Sequence, residues 1–262
     1  MLFRSSQALR LSVGSGGQGD LQVSNGGKVV LTGNGPQGHL TLGNNGGSAT
    51  MTVSGLGSEL IASAARSQLN IGGGGNGSSG HLSVFDHGRV ATGGLYLGGP
   101  GSTGSMVVDG GLVEVGGTEG RLLIGNGGTA SLTVRGGGVV DATLNPANCV
   151  GNWCGTSVVN YAGGQAMLTV EGAGSRLSSL RNLLVGGTWV DSYAGIRDGL
   201  STASVSVLAG GVLHTQGATL GGTPGGLGAS GAERSVVGVT IDGAGSQWLV
   251  TVSRVTDRKS VV

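Results

Sequence analysis

Residues 122–142 read LLIGNGGTASLTVRGGGVVDA, and this stretch decides the fold. It holds three short aliphatic segments, LLI, LTV and VVDA, and the residues between them are mostly Gly. Alternating apolar residues over a few positions are typical of β-strands, and Gly-rich clusters are typical of tight turns. The stretch therefore predicts a unit of three short strands joined by turns.

The same unit recurs along the chain. Its first motif, Leu-x-aliphatic-Gly, is complete in copies such as LTLG at 40–43 and LLVG at 183–186, and it is degenerate in CVG at 149–151 and ATLGG at 218–222. A second motif, such as LTV at 168–170, follows each copy. Recurrence at a nearly even interval indicates an internal repeat. The residues that close the first motif are Gly14, Gly43, Gly72, Gly98, Gly125, Gly151, Gly186 and Gly221.

A unit of this length cannot bury its apolar face alone, so neighbouring units must stack on one another. We expect an all-β fold, a right-handed parallel β-helix (β-solenoid) of about eight coils, with aliphatic side chains inside and Gly at the corners. A β-propeller is the alternative, but its blades need four strands. The most helix-like window, Glu59 to Asn70, falls at the third strand and turn of its repeat, so we interpret it as loop or strand.

Three segments are expected along the chain. Residues 1–10 form an N-terminal lead-in, residues 11–253 form the β-helical repeat region, and residues 254–262 form a non-repeat tail. The terminal DRKSVV at 257–262 resembles the translation of a sequencing adapter, and we expect it to be artefactual; an ordinary frayed tail is the alternative. The repeats start near residues 11, 40, 69, 95, 122, 149, 183 and 218.

Composition excludes several classes of protein. Gly contributes 60 of the 262 residues, but without the strict three-residue period of collagen. The formal net charge is +1 and 10% of residues are charged, which leaves no cation cluster for binding nucleic acid. No apolar run is long enough for a transmembrane helix, and residues 1–10 do not form a recognisable signal peptide.

No cofactor, metal or catalytic site is expected. The stretch GSGGQG at 14–19 matches a dinucleotide-binding pattern but lacks its strand–turn–helix context and its ribose-binding acid. The stretch GGQGD at 16–20 offers one carboxylate, which is too few ligands for calcium. The four His residues fall at different phases of the repeat, and we expect each to have a surface or turn role; Asp86 and His87 are adjacent, so on a strand their side chains would face opposite sides. The chain is therefore not predicted to be an enzyme.

One charged column is predicted. Alignment on the second motif places Asp109, Arg135 and Glu171 just after it in three successive coils. We interpret this column as a solvated ion-pair ladder, worth at most about 1 kcal/mol per pair. The alternative is an acidic active-site edge, which the Arg between the two acids disfavours.

Coils six to eight depart most from the repeat, because the interval between the first-motif Gly and the second motif is clearly longer there. Insertions at one phase of a solenoid emerge on one side, which is often the binding face. Exposed Trp and Tyr rings supply contact area at low entropy cost, so a ligand platform is one interpretation; the other is that the rings cover the coil wall. The candidate binding residues are Trp153, Tyr161, Trp189, Tyr193, Asp191, Arg197 and Asp198.

Turns such as VSGLGSEL at 53–60, VEGAGSRL at 170–177 and IDGAGSQW at 241–248 carry a family resemblance. Together with the paired motifs, they resemble the Gly-rich passenger-domain repeats of bacterial autotransporters (type V secretion) and of some surface proteins with a C-terminal sorting signal. The resemblance covers roughly residues 11–250. It is specific for architecture and weak for function, because such stems carry adhesins and proteases alike.

The resemblance implies several expectations about function. It implies export to the outer surface of a Gram-negative cell, an outer-membrane barrel in the full-length chain, and an adhesin-like stem whose side loops contact a host cell, a neighbouring cell or a glycan. A polysaccharide-active enzyme, a lyase or glycosidase, is the alternative on the same fold, and it would need two carboxylates converging on one groove. A lipid-anchored or cytosolic repeat protein is a third option.

Cys149 and Cys154 are the only cysteines in the chain. In an exported protein, which the resemblance implies, this close pair suggests a small disulfide loop. Such a short loop removes little chain entropy, so its effect would be local. Free thiols are the alternative, and no further ligands for zinc stand nearby.

Overall fold

The structure is a computed structural model. It describes residues 2–5, 10–32, 39–62, 67–75, 77–117, 120–143, 155–159, 163–179, 182–186, 200–221, 234–251 and 255–257. Within these residues all regular secondary structure is β-strand, and no helix occurs.

The strands form three sheets. The first sheet contains β2 (Leu11–Ser15), β5 (His39–Asn44), β8 (Gln68–Gly74), β11 (Gly94–Leu97), β14 (Arg121–Ile124), β17 (Gly155–Val158), β20 (Asn182–Val185), β23 (Gly217–Leu220) and β26 (Val255–Asp257). The second sheet contains β3 (Gln18–Val23), β6 (Ser48–Ser54), β9 (Ser79–Phe85), β12 (Thr103–Asp109), β15 (Thr129–Arg135), β18 (Gln165–Glu171), β21 (Leu200–Leu208) and β24 (Arg234–Asp242). The third sheet contains β1 (Leu2–Ser5), β4 (Lys28–Leu31), β7 (Glu59–Ala62), β10 (Arg89–Thr92), β13 (Leu112–Val115), β16 (Val139–Ala142), β19 (Arg176–Ser179), β22 (Val212–Thr215) and β25 (Gln247–Val250).

The strand order makes the molecule a solenoid. Each strand pairs in parallel with the strand three places further along the chain, so each sheet receives one strand from each coil. Eight coils, each with one strand from every sheet, run from β2 to β25. The predicted parallel β-helix is confirmed, and the window from Glu59 to Asn70 contains β7 and the start of β8. Strands β1 and β26 lie within the predicted lead-in and tail, so pairing extends past the predicted repeat boundaries at both ends.

Inward side chains stack in columns through the core. In the first sheet, Leu40, Leu69, Leu95 and Leu122 are successive partners in the register, and each is fully buried. Burying a Leu side chain contributes about 1.5–3 kcal/mol. Because every coil is covered by the next, the repeat gains this term at the same position again and again.

The Gly that ends the first motif turns the corner into the second sheet. Gly72 has a φ of 65°, and a Cβ built on it would overlap the backbone carbonyl oxygen of Thr103, which begins β12 in the next coil. Gly43 stands in the same relation to Ser79, which begins β9. A side chain does not fit at these corners, so the motif ends in Gly.

Coil six differs from the prediction. The sequence predicts its first strand at 149–151, but that strand is β17, whose Val158 pairs with Ile124 of coil five. Val159 follows it with a φ of 68°, at the position that Gly holds in the other coils, and its N–H donates to the carbonyl of Ile124 at 2.7 Å. The predicted start near residue 149 was wrong because Gly served as the marker of the corner, and here the corner residue is Val.

This register also moves the predicted insert of coil six. Only residues 160–164 lie between the corner residue Val159 and β18, no more than the six residues 73–78 that lie between the corner residue Gly72 and β9 in coil three. The long segment of coil six is 144–154, which joins the third sheet to the first sheet. Long connections from the first to the second sheet occur in coils seven and eight, at 187–199 and 222–233. The prediction that three inserts share one phase is therefore wrong for coil six.

The outward face of the first sheet changes character along the solenoid. In coils one to four, here called the N-terminal coils, the outward residue at the middle of the strand is exposed or half-buried. In coils five to eight, the C-terminal coils, it is at most 7% exposed, so this part of the face is covered. From coil one to coil eight the position is held by Ser12, Thr41, Asn70, Tyr96, Leu123, Ser157, Leu184 and Thr219.

Candidate functional site

The binding residues proposed from the sequence all lie outside the described residues. The same holds for both cysteines and for residues 258–262. Along the chain, the segment with Trp153 precedes β17, Tyr161 follows that strand, and the segment with the other five candidates precedes β21. The ligand-platform and wall-packing interpretations both stay predictions.

A groove of about 670 Å³ crosses coils three to five at the corner between the second and third sheets. Its walls include Phe85, Asp109 and Arg135, the last residues of β9, β12 and β15, which are aligned side by side in the parallel register. Its floor includes Ser83 and Val107, two positions earlier on their strands. The groove therefore combines side chains from three successive coils, which only the stacking brings together.

The turn of coil three forms one rim of the groove. Asp86 and His87 both have positive φ values, 50° and 63°. The Nδ1 atom of His87 lies 3.5 Å from Oδ1 of Asp86, and both side chains are exposed. The two residues form a tight turn, which confirms the surface or turn role that the sequence predicts for His87.

Three other coils also have two consecutive residues at positive φ after the second-sheet strand, but with different residue types. These turns are Asn25-Gly26 in coil one, Gly136-Gly137 in coil five and Ala209-Gly210 in coil seven. Two positive φ values define a type I′ turn, for which Asn-Gly and Gly-Gly are favoured. The second position is Gly in those three turns and His87 in coil three, so coil three accepts backbone strain to place an imidazole at the rim.

Arg135 and Asp109 form an ion pair within the groove. The Nε–H of Arg135 donates to Oδ2 of Asp109 at 2.9 Å, which confirms this part of the predicted charge column. Both side chains are about half exposed, so the pair contributes at most about 1 kcal/mol to stability. In the described part of the chain no ion pair joins Glu171 to Arg135, and the ladder is thus a single pair.

Gly136 leaves room for the Asp109 carboxylate. A Cβ built on Gly136 would overlap Oδ1 of Asp109, so the carboxylate lies over a residue that has no side chain. Gly110 and Gly137 also line the groove. These glycines leave the corner open in coils four and five, directly beside the side chains of coil three.

Phe85 is the aromatic residue of the groove. It is 42% exposed, although Phe is among the residue types most often buried. The residues at the same register position in the adjacent coils are Ser54 and Asp109, so no apolar side chain stacks on the ring along this column.

A second group of charges lies on the outward face of the third sheet in the N-terminal coils. Lys28 Nζ lies 2.8 Å from Glu59, and Arg89 lies 3.5 Å from Glu59 and 2.6 Å from Glu114. The hydrogen bond from Lys28 lowers the pKa of Glu59, assisted by the positive charges of Lys28 and Arg89 and opposed by partial burial. The sequence carries these charges at the first and third positions of the third-strand segments, a signal that alignment on the second motif did not reveal.

The third sheet also aligns two acids. Glu114 of β13 pairs in register with Asp141 of β16, so their side chains leave the same face of adjacent strands. Glu114 is bound by Arg89, and Oδ1 of Asp141 accepts a hydrogen bond from the backbone N–H of Thr143 at 2.9 Å. The sequence analysis missed this pair, although the acid stands third in both LVEV (112–115) and VVDA (139–142).

Two further histidines lie on outward faces. The ring nitrogens of His81 lie 2.8 Å from Oγ of Ser105 and 2.9 Å from Oγ of Ser83, which holds the ring beside the groove floor. His214 pairs in register with Ser178 on the third sheet. Among the described residues, no group of three or more His, Cys, Asp and Glu residues could hold a metal ion.

Comparison with protein-family models, with curated proteins and with solved structures finds no match. The described part of the chain also contains no helix that could cross a membrane. The resemblance to autotransporter repeats therefore rests on the sequence motifs themselves.

Proposed function

We propose that this chain is a structural and interaction unit: part of the surface-exposed stem of a bacterial autotransporter passenger, with an adhesin-like role. The observation that carries the proposal is the continuous parallel pairing of strands in all three sheets through eight coils. Coils stacked about 4.8 Å apart make a rod of roughly 40 Å with a continuous aliphatic core. Such a rod has a packed interior, so its contacts with other molecules must be made by its sides.

The cellular location belongs to the same proposal and is supported by the repeat motifs. The stem projects from the outer membrane of a Gram-negative cell, and a barrel in the full-length chain anchors it. The test is immunolabelling of intact source cells with antibodies against the purified chain. We expect labelling of intact cells, whereas signal that appears only after permeabilisation would place the chain inside and reject the stem.

A polysaccharide-active enzyme is the second candidate, and the register of Glu114 with Asp141 favours it. Two carboxylates on adjacent strands are the minimum that glycoside hydrolysis needs. The ion pair between Arg89 and Glu114 disfavours it, because that carboxylate is already bound. Release of reducing ends from a panel of bacterial and plant polysaccharides, abolished by Asp141→Asn, would establish the enzyme and displace the stem.

A further inference from the structure

We propose that the groove of coils three to five, formed around Phe85, His87, Asp109 and Arg135, binds a neutral pyranose residue of a glycan. This inference goes beyond the stem function and does not depend on the location of the rod. It is separate from the aromatic residues at 153, 161, 189 and 193. Three features of the groove carry it: a strained turn, an exposed ring and a fixed pair of hydrogen-bonding groups.

The strained turn indicates selection for the side chain at position 87. A non-Gly residue in the left-handed region is strained, and Gly would relieve that strain, as it does in the turns of coils one, five and seven. Backbone strain of this kind concentrates at ligand sites, where the surrounding structure holds it in place. The imidazole gains no buried contact in return, because its side chain is 75% exposed. Its position at the rim of a groove is consistent with contact to a ligand.

The exposed ring supplies a surface for stacking. A pyranose presents a face of C–H groups, which packs on an aromatic ring and removes apolar area from water. Phe85 stands at the end of β9 with polar neighbours at its register position in both adjacent coils. The glycines of coils four and five leave space beside the ring, so a flat ligand can approach it.

The ion pair supplies a hydrogen-bond donor and an acceptor at a fixed separation. In the described residues, the side chain of Arg135 uses Nε for Asp109 and makes no other hydrogen bond or ion pair, so the terminal nitrogens of this groove-lining residue are free to donate. The absent side chain of Gly136 leaves room for the Asp109 carboxylate. A guanidinium beside a carboxylate matches two neighbouring hydroxyls, of which one accepts and the other donates.

Charge decides the class of sugar. With His87 counted as neutral, Asp86 and Asp109 outweigh Arg135, so the groove is formally negative. A uronic acid or a phosphate would be repelled by these carboxylates, whereas a neutral hexose has only hydroxyls to place. A cationic peptide side chain would also suit the charge, but it would offer no acceptor to the terminal nitrogens of Arg135.

The experiment measures sugar binding by the full chain with saturation-transfer difference NMR. The probes are the methyl pyranosides of glucose, galactose and mannose, with methyl galacturonoside as the anionic comparison and N-acetylarginine amide as the cationic one. We expect saturable binding of at least one neutral glycoside in the millimolar range, as befits a small open site. No binding by any neutral glycoside, or stronger binding of either charged probe, overturns the proposal.

Variants assign the binding to the groove. Phe85→Ala and Asp109→Asn should each weaken binding about tenfold or more. Leu208→Ala is the matched control, because Leu208 ends the second-sheet strand of coil seven as Phe85 ends that of coil three. Equal affinity for Phe85→Ala, Asp109→Asn and the unmodified chain places the sugar elsewhere and overturns the proposal.

A last variant separates a ligand role from a structural one. His87→Gly should raise Tm by relieving the turn, yet weaken sugar binding, so stability and affinity move in opposite directions. Ala209→Gly relieves backbone strain in the turn of coil seven in the same way and should leave the affinity for sugar unchanged. Unchanged affinity in His87→Gly removes the histidine from the site and overturns the argument from strain. Failure of all sugar binding would leave the stem untouched, because labelling of intact cells tests it independently.

Discussion

The N-terminal and C-terminal coils share one register but differ at the corner after the first-sheet strand. In the N-terminal coils, a Cβ built on the corner Gly would meet a backbone carbonyl oxygen of the next coil; these residues are Gly14, Gly43, Gly72 and Gly98. In the C-terminal coils the nearest atom belongs to a side chain; these residues are Gly125, Gly186 and Gly221. Coil six even holds Val159 there, at a φ of 68°.

This difference shows what the corner requires. A positive φ alone favours Gly by about 1–2 kcal/mol, a cost that the fold tolerates at Val159. Close approach of a backbone carbonyl cannot be relieved by a side-chain movement, so it excludes every residue except Gly. The repeat is therefore strictest in the N-terminal coils, and it admits exceptions where the next coil approaches with side chains.

The largest expected effect on stability comes from placing Ala at a corner of each kind. Gly72→Ala should lower the free energy of unfolding by about 3–5 kcal/mol, because it adds strain at positive φ to an overlap with the carbonyl of Thr103. Val159→Ala should cost only about 1–2 kcal/mol, since it removes methyl groups from a buried site. Urea unfolding followed by circular dichroism measures both. Similar losses in the two variants would show that the corners are equivalent.

The next effect concerns the outward face of the first sheet. Leu184→Asp should lower the free energy of unfolding by about 2–3 kcal/mol, because the carboxylate would be placed on a covered part of the face. Thr41→Asp, at the same register position in coil two, should change it by less than about 0.5 kcal/mol, since that part of the face reaches solvent. Thermal unfolding of the two variants tests the contrast. A small loss of unfolding free energy for Leu184→Asp would mean that water reaches this part of the face.

The smallest expected effect is the pH dependence of stability that arises from Glu59 on the third sheet. The pKa of Glu59 is lowered in the folded state, so its contribution is fully present above the unfolded pKa, near 4.5, and is lost as pH falls through the lower folded value. Exposed pairs contribute at most about 1 kcal/mol, so the change should be modest.

Urea midpoints between pH 3 and pH 7 test this prediction. Glu59→Gln should flatten the acid limb of the curve relative to the unmodified chain. An unchanged acid limb in Glu59→Gln would locate the acid sensitivity in other carboxylates.

Local patterns in the sequence predicted the architecture, since stacking of Leu, Ile and Val and Gly at the corners are both visible within one repeat. The first strand of coil six was placed wrongly because its corner residue is Val159, and the prediction used Gly as the marker of a corner. The sequence predicts a surface or turn role for His87, but the positive φ of its turn becomes visible only from the alignment with the Asn-Gly and Gly-Gly turns of other coils. The groove depends on three coils at once, and on the missing side chain of Gly136, which no single repeat shows.

The hydrogen bonds that join successive coils run along the axis of the rod, so a pull along that axis loads them one after another rather than together. A tensile force applied between the two ends therefore unfolds the stack sequentially, one coil at a time, at a nearly constant and modest force. Each coil that unfolds releases a length of extended chain far greater than the 4.8 Å that it occupied in the stack. A chain pulled in this way would lengthen by many times its folded height, and on release it would refold on the coils that remain as a template.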